Sequence, residues 1–366
     1  MTFDKRPAAS CRPLSAPVQV LLLSILLALS ALIARPAAAQ SDAHKFFEGK
    51  QVSLLMGSAV GTGYDLYGRL VVRHMERHMP KGATFVVKNM PGASGVVMSN
   101  FLLKVAPPDG LTIGLTQREA IFEPIFTPAA SQAKYDPRDM TWIGTPNQEF
   151  GMFYVSTASG ITTFDDLKKR PVPTGAAGGG AAQTIVIPKV INAMTGSQFK
   201  MITGYPGSLE IIAALEKGEV DARFATGWAG VEPARVNELI AAGKARLLMT
   251  FSKERQASVG SIPTIMENVG DAENRAVLEV LLAPQTFGRP IFASPKVPAD
   301  RLKVLRDAFD AAMKDQAFVA EAAKAQFVLD PLSGVEMTAK LKAVYDLPPA
   351  ILSKTISMMD AAAAAP

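Results

Sequence analysis

Short apolar runs rich in β-branched residues alternate along the chain with longer stretches whose apolar positions recur at helical spacing. VSLLM (Val52–Met56), TFVVKN (Thr84–Asn89) and LTIGLTQ (Leu111–Gln117) have strand character. Between them, Tyr64–Met79 puts Leu66, Leu70 and Val71 on one helical face, and Ser94–Ala106 continues as a second helix. Strand, helix, strand, helix, strand predicts a parallel sheet covered by helices. The turn signals Pro91-Gly92 and Pro107–Gly110 fall between these elements, where chain reversals belong.

A second rhythm starts at Gly151. GMFYVS is strand-like, TTFDDLKK reads as a short helix capped by Thr162 or Thr163, and PVPTGAAGGG is a short strand entering a glycine loop. The helix AQTIVIPKVINAM follows, then the strand Phe199–Tyr205, then a helix opened by Ser208 and closed by Gly218. VDARFAT and ARLLMTF are further strands, and Pro298 to about Lys324 reads as one long amphipathic helix carrying Leu302, Leu305, Phe309 and Met313. Each unit therefore carries a glycine loop between a strand and a helix. In open parallel sheets such loops lie at the carboxyl edge, where ligands bind, and two such units facing one another would form a clamshell.

The beginning of the chain has a different character. Lys5, Arg6 and Arg12 precede the apolar Val18–Ala34, and Ala37-Ala38-Ala39 places small residues at the −3 and −1 positions. That is the pattern of a secretory signal cleaved before Gln40; an uncleaved anchor is the lesser reading of the same run. Four of the 38 Lys+Arg and one of the 33 Asp+Glu lie in this segment, leaving 34 against 32, or +2. So near-neutral a balance carries no nucleic-acid footprint. The single cysteine, Cys11, leaves with the signal, so the exported chain has no disulfide, thiolate metal site or cysteine nucleophile.

The candidate chemistry centres on GSAVGTGYDLYGR, Gly57–Arg69. It is neither a dinucleotide fingerprint, because position 66 is leucine, nor a phosphate loop, because no Gly-Lys-Ser/Thr occurs. A glycine turn opening a helix still leaves backbone N–H groups pointing outward with the helix dipole behind them, a seat for a carboxylate or phosphate. The other reading is a plain connection with Asp65 capping the helix. TGAAGGGAAQT (Thr174–Thr184) repeats the arrangement, and Gly178, Gly179 and Gly180 in succession imply close backbone approach. Arg118, just after a strand, is the basic residue best placed for a carboxylate, with Gln117 assisting; Arg223, with Trp228 as an aromatic wall, is a second candidate, and a surface ion pair is the competing reading for each arginine. His74 and His78 have i,i+4 spacing, but Glu76 is not at the HExxH position and no third ligand is suggested, so they read as a solvated face and no metal is expected. No histidine follows residue 78 and GxSxG is absent, which excludes a Ser-His-Asp hydrolase of the α/β type.

Several blocks, in order, resemble the TctC/Bug receptors, the extracytoplasmic solute-binding proteins of tripartite tricarboxylate transporters. They are GTGYDLYGR, KNMPGASGVVMSNFLLKVAPPDGLTIGL, YDPRDMTWIG, GYPGSLEIIAALEKGEVDARF, AAGKARLLMTFSKER and SIPTIMEN. The resemblance implies an α/β, type II periplasmic-binding-protein clamshell with a mainly parallel sheet in each lobe. It implies no catalytic residues and no cofactor. A small carboxylate would be held through backbone N–H groups and hydroxyls of the two loops. Expected contacts are Ser58, Gly61, Thr62, Gly63, Tyr64, Asp65, Gln117, Arg118, Gly178, Gly179, Gly180, Thr184, Tyr205, Gly207 and Trp228. The expected divisions are a signal segment over 1–39, a first lobe over 40–150, a second over 151–255, and a return to the first lobe with C-terminal helices over 256–366. The expected protein is a periplasmic monomer that closes on its ligand and delivers it to transporter membrane subunits. A ligand-sensing module with a signalling partner and, less favoured, a periplasmic enzyme are the alternatives. The chain departs from the family where the ligand would sit. Gly57-Ser58-Ala59-Val60 replaces a Pro-Gly-Gly type start, and Ala181 and Thr184 stand where relatives carry serine and histidine. Fewer hydroxyls point to a less polar or aromatic carboxylate.

Overall fold

The structure, a computed structural model, describes residues 42–128, 131–177, 183–229, 231–260 and 262–365. The signal-like segment and the second glycine loop, Gly178–Gly180 included, lie outside them.

Two mixed sheets carry the fold. The first has six strands in the order β11-β4-β10-β3-β1-β2, formed by β1 (Gln51–Met56), β2 (Thr84–Asn89), β3 (Thr112–Leu115), β4 (Thr141–Thr145), β10 (Ile291–Ala293) and β11 (Leu332–Ser333). The second has five in the order β7-β6-β8-β5-β9, formed by β5 (Gly151–Ser156), β6 (Val172–Ala177), β7 (Phe199–Tyr205), β8 (Ala222–Ala225) and β9 (Ala245–Phe251). The expected parallel pairing is found where strands alternate with helices, at β1–β2, β1–β3, β6–β7 and β6–β8. The strands on either side of the crossings, β4 and β10 in one sheet and β5 and β9 in the other, pair antiparallel.

Register decides where the loops emerge. In the first sheet Met56 is level with both Asn89 and Leu115. In the second, Ala177 is level with Tyr205. The first glycine loop therefore leaves the carboxyl edge of a parallel group, beside the loops that follow its neighbouring strands, and β6 ends at the same kind of edge in the second sheet.

Helices cover both faces of each sheet. Under the first, α1 (Gly63–Glu76), α8 (Ala299–Lys314) and α9 (Gln316–Lys324) pack on Val52, Leu54, Ile113 and Ile143. On its other face α2 (Val96–Lys104), α3 (Arg118–Phe126) and α10 (Gly334–Tyr345) close over Trp142, Phe287 and Phe292. The second sheet has α4 (Gln183–Thr195) and α7 (Ala272–Leu282) on one face, with α5 (Ser208–Lys217) and α6 (Val231–Ala241) on the other. Because α7 belongs to this second core, packing follows the chain well past residue 255. The terminal α11 (Pro349–Ala364) lies against α4 and α7 and reaches α3 on the second-named face of the first sheet.

Two local readings are corrected. The single helix expected from Pro298 to Lys324 is two, because Asp315 (ψ 120) closes α8 and then caps α9 through Ala317 N–H. His74 is not on a solvated face. It is buried, with its Nε2 2.9 Å from Glu321 and its ring edge-on to Phe318 of α9.

Candidate functional site

The first glycine loop is built by its own side chains. Gly61 takes φ +81, a conformation that glycine adopts freely. Thr62 is the N-cap of α1, its hydroxyl accepting from Asp65 N–H at 3.4 Å and donating to Ala59 O. Asp65, buried, accepts from Gly61 N–H (2.9 Å), Asn89 Nδ2 (2.8 Å) and Arg69 Nε (3.0 Å). The loop's acid thus faces inward and ties α1 to the end of β2. Gly63 and Tyr64, the first two residues of the helix, have no acceptor for their N–H groups among the described residues. That is the geometry of an anion seat.

Burial would raise the Asp65 carboxyl, but hydrogen bonds from Arg69, Gly61 and Asn89 outweigh it and hold the group at about 2. A folded value below the unfolded one of about 3.9 contributes stability that is complete above about pH 4 and is lost as pH falls towards 2. The contribution is worth about 2 kcal/mol. Urea titrations across this window should show that loss in the wild type and a flatter profile in Asp65→Asn. Equal slopes would mean that Asp65 is not the titrating brace.

Neighbouring loops complete the patch. Ser58 offers its main-chain oxygen to Asn89 Nδ2, while its buried Oγ has no partner. Gln117 Nε2 donates to Gly57 O at 2.9 Å. Gly57 lies so close to Gly95 that a Cβ would stand 2.9 Å from the Gly95 Cα, which is why a side chain is not accommodated there. The Tyr64 hydroxyl accepts from Arg118 N–H at the start of α3, at 3.4 Å, and burial pushes this phenol well above its ordinary value, with Glu119 adding to the rise.

Arg118 is buried and engaged by protein groups. Its Nη1 lies 2.6 Å from Glu149 Oε2 and 3.2 Å from Gln285 Oε1, its Nη2 donates to Thr226 O, and its Nε meets Glu119. Glu149 also pairs with Arg289 Nη1 at 2.8 Å. Burial alone would raise the Glu149 carboxyl; Arg118 and then Arg289 outweigh it, so it lies below the ordinary carboxylate value. Glu149 stands in the crossing from β4 to β5 and Arg289 in the crossing back to β10. A Cβ on Gly227, beyond β8, would come within 2.6 Å of Glu149. This ion cluster therefore joins both crossings to the edges of both sheets.

On the second sheet, Thr184 Oγ1 donates to Ala177 O at 2.6 Å and Gly207 is the N-cap of α5. Tyr205 is the last residue of β7. Trp228 is buried against Tyr154, with ring centroids 5.9 Å apart, and its backbone N–H donates to Phe150 O. Arg223 is buried in this core, paired with Glu232 at 2.6 Å and Ser208 at 2.7 Å. Ser58 to Asp65, Gln117 and Arg118 thus form one patch. Thr184, Tyr205 and Gly207 lie along the other sheet's edge, and Trp228 packs inward near the crossing.

Sequence reasoning missed Glu149, Arg289, Asn89 and the stacked Tyr67. Only Asn89, the last residue of the TFVVKN strand, carried a local signal. A cavity of about 600 Å³ beside the crossings is lined by Phe150, Gln285, Phe287, Val328, Leu329 and neighbours, with no residue from the first glycine loop. Among the described residues no group of three side chains suits a metal ion, and no helix is long and apolar enough to cross a membrane.

Two mixed sheets, each flanked by helices and joined by chain crossings, are the α/β fold of the periplasmic binding proteins. The chain belongs to the tripartite tricarboxylate transporter family receptors, TctC, whose pattern matches residues 69–338. It is 28% identical over 292 residues to a UPF0065 protein from the gbd 5′ region of Cupriavidus necator, covering 77% of this chain and 79% of that one. A TctC solute-binding protein from Polaromonas superposes with a TM-score of 0.66 at 18% identity, covering 85% and 98% of the two chains. MatC from Rhodopseudomonas palustris, with bound malate, gives 0.53 at 16% identity, covering 86% and 99%. An R. palustris protein with adipate gives 0.56 at 18% identity, covering 85% and 97%.

Proposed function

We propose that the protein is a periplasmic receptor that closes on a small organic carboxylate and delivers it to the membrane subunits of a tripartite transporter. The observation that carries this reading is the start of α1, where Gly63 and Tyr64 present unpaired N–H groups at the carboxyl edge of a parallel sheet. The malate and adipate held by two relatives of the same fold support it. The second glycine loop, 178–182, would supply the opposing donors.

The energetics are sufficient. Micromolar affinity needs about 8 kcal/mol, and each hydrogen bond to a charged group contributes about 1.5–3 kcal/mol. Four or five such bonds suffice after the cost of ordering. Donors on both lobes would make the ligand favour the closed form, the hinge movement by which occupancy is signalled.

A thermal-shift screen of residues 40–366 against mono-, di- and tricarboxylates and aromatic acids tests the reading. A carboxylate should raise Tm in proportion to the logarithm of its concentration. Stabilisation by neutral or cationic compounds alone would overturn it. Gly179→Asp, which places a negative charge in the second loop, should abolish the shift while the ligand-free protein unfolds as the wild type does.

A further inference from the structure

Arg289 differs from Arg118 in one respect that bears on recognition. Its backbone N–H donates to Thr145 Oγ1, its Nη1 donates to Gly288 O, and the same Nη1 pairs with Glu149. The other edge of the guanidinium has no acceptor among the described residues. Nε is buried and unpartnered, and Nη2 has no hydrogen bond among the described residues. The Nε–Nη2 edge is the side-on fork that grips a carboxylate with two parallel bonds.

That edge is aimed at the first glycine loop. A Cβ on Gly63 would stand 3.5 Å from Arg289 Nη2, so the guanidinium lies against the first residue of α1. A cation at the positive end of a helix is unfavourable unless an anion sits between them. The guanidinium is also held in place: its carbon lies 4.3 Å from the Tyr64 ring centroid and 5.0 Å from that of Tyr67. Tyr67 is itself fixed by Val328 N–H at 2.9 Å and stacked on Phe327 at 4.0 Å. The residue is 8% exposed, so the fork is pre-organised rather than floating in solvent.

We propose that Arg289 is the cation that receives the ligand's carboxylate, its Nε–Nη2 edge and the N–H groups of Gly63 and Tyr64 forming a single seat. Arg118, with Nε, Nη1 and Nη2 all committed to protein acceptors, is then a positioning residue that holds Glu149. This rests on the carboxylate-receptor reading above and sharpens it. The seat requires a full negative charge and two coplanar oxygens, so an acid is taken and its amide rejected.

The test is calorimetric titration of the mature protein with a panel running from acetate and malate to adipate, citrate and benzoate, each beside its amide. In the wild type at least one acid should bind and its amide should not. Arg289→Gln should weaken that acid by roughly 10- to 100-fold, the loss expected for hydrogen bonds to a charged group. Gly63→Ala, which leaves every ion pair intact and inserts a methyl against Nη2, should weaken it at least about tenfold without lowering the ligand-free Tm. It keeps the test open even if Arg289→Gln misfolds. Wild-type affinity in either folded variant would overturn the seat and leave the receptor reading standing. Failure of every acid to bind the wild type would overturn the receptor reading itself.

Discussion

Glu149→Ala is expected to cost the protein about 3–5 kcal/mol, read as a fall in the urea midpoint at unchanged slope. The carboxylate is shared by two arginines, at 2.6 Å from Arg118 and 2.8 Å from Arg289, and all three side chains are nearly covered. Removing it leaves two guanidiniums in low dielectric, and desolvating an unpaired charge costs more than the pair ever contributed. Arg118 would retain Gln285, Thr226 and Glu119 as partners; Arg289 would retain only the carbonyl of Gly288 and the two tyrosine rings. Glu149→Gln, which keeps the shape and loses the charge, should recover only part of the loss. A change below about 1 kcal/mol would place the cluster among ion pairs of the exposed kind.

Asp65→Ala should lose about 3 kcal/mol and impair ligand binding as well. The carboxylate satisfies Gly61 N–H, the Asn89 amide and the Arg69 guanidinium at once. Arg69 is half exposed and Gly61 is exposed, so both can rehydrate, but the Asn89 amide is half-buried, and an unsatisfied buried donor costs about 1–3 kcal/mol. With the brace gone, the turn at Gly61 is no longer tied to the end of β2, and the N–H groups of Gly63 and Tyr64 lose their fixed direction. Differential scanning calorimetry of the variant reads the first effect and titration with the stabilising acid reads the second. An unaltered affinity would show that the loop is held by the turn geometry of Gly61 and Thr62 alone.

These two residues differ in how far the sequence discloses them. Gly61, Thr62 and Asp65 stand within one turn of each other, so cap, turn and acid can be read together, and the helix they open begins at Gly63. The strands Thr84–Asn89 and Phe199–Tyr205 coincide with their expected limits because dense apolar runs bounded by turn residues leave little freedom. Glu149 gave no such signal. PNQEF is a polar break between two strands, and its acid acquires meaning only when Arg118 and Arg289 arrive from distant segments. The buried His74 escaped for the same reason: its cover, α9, lies far along the chain. The break at Asp315 escaped because the apolar stripe of α8 continues into α9 with little change of composition. Periodicity reports the face a helix buries, whereas the partner of a buried charge is set by topology.

Small-angle scattering of residues 40–366, with and without a saturating carboxylate chosen by thermal shift, tests the central claim most directly. A receptor that closes on its ligand should show a smaller radius of gyration when occupied, reversed on dialysis. An unchanged radius at saturation, with the same acid still raising Tm, would contradict closure around the ligand.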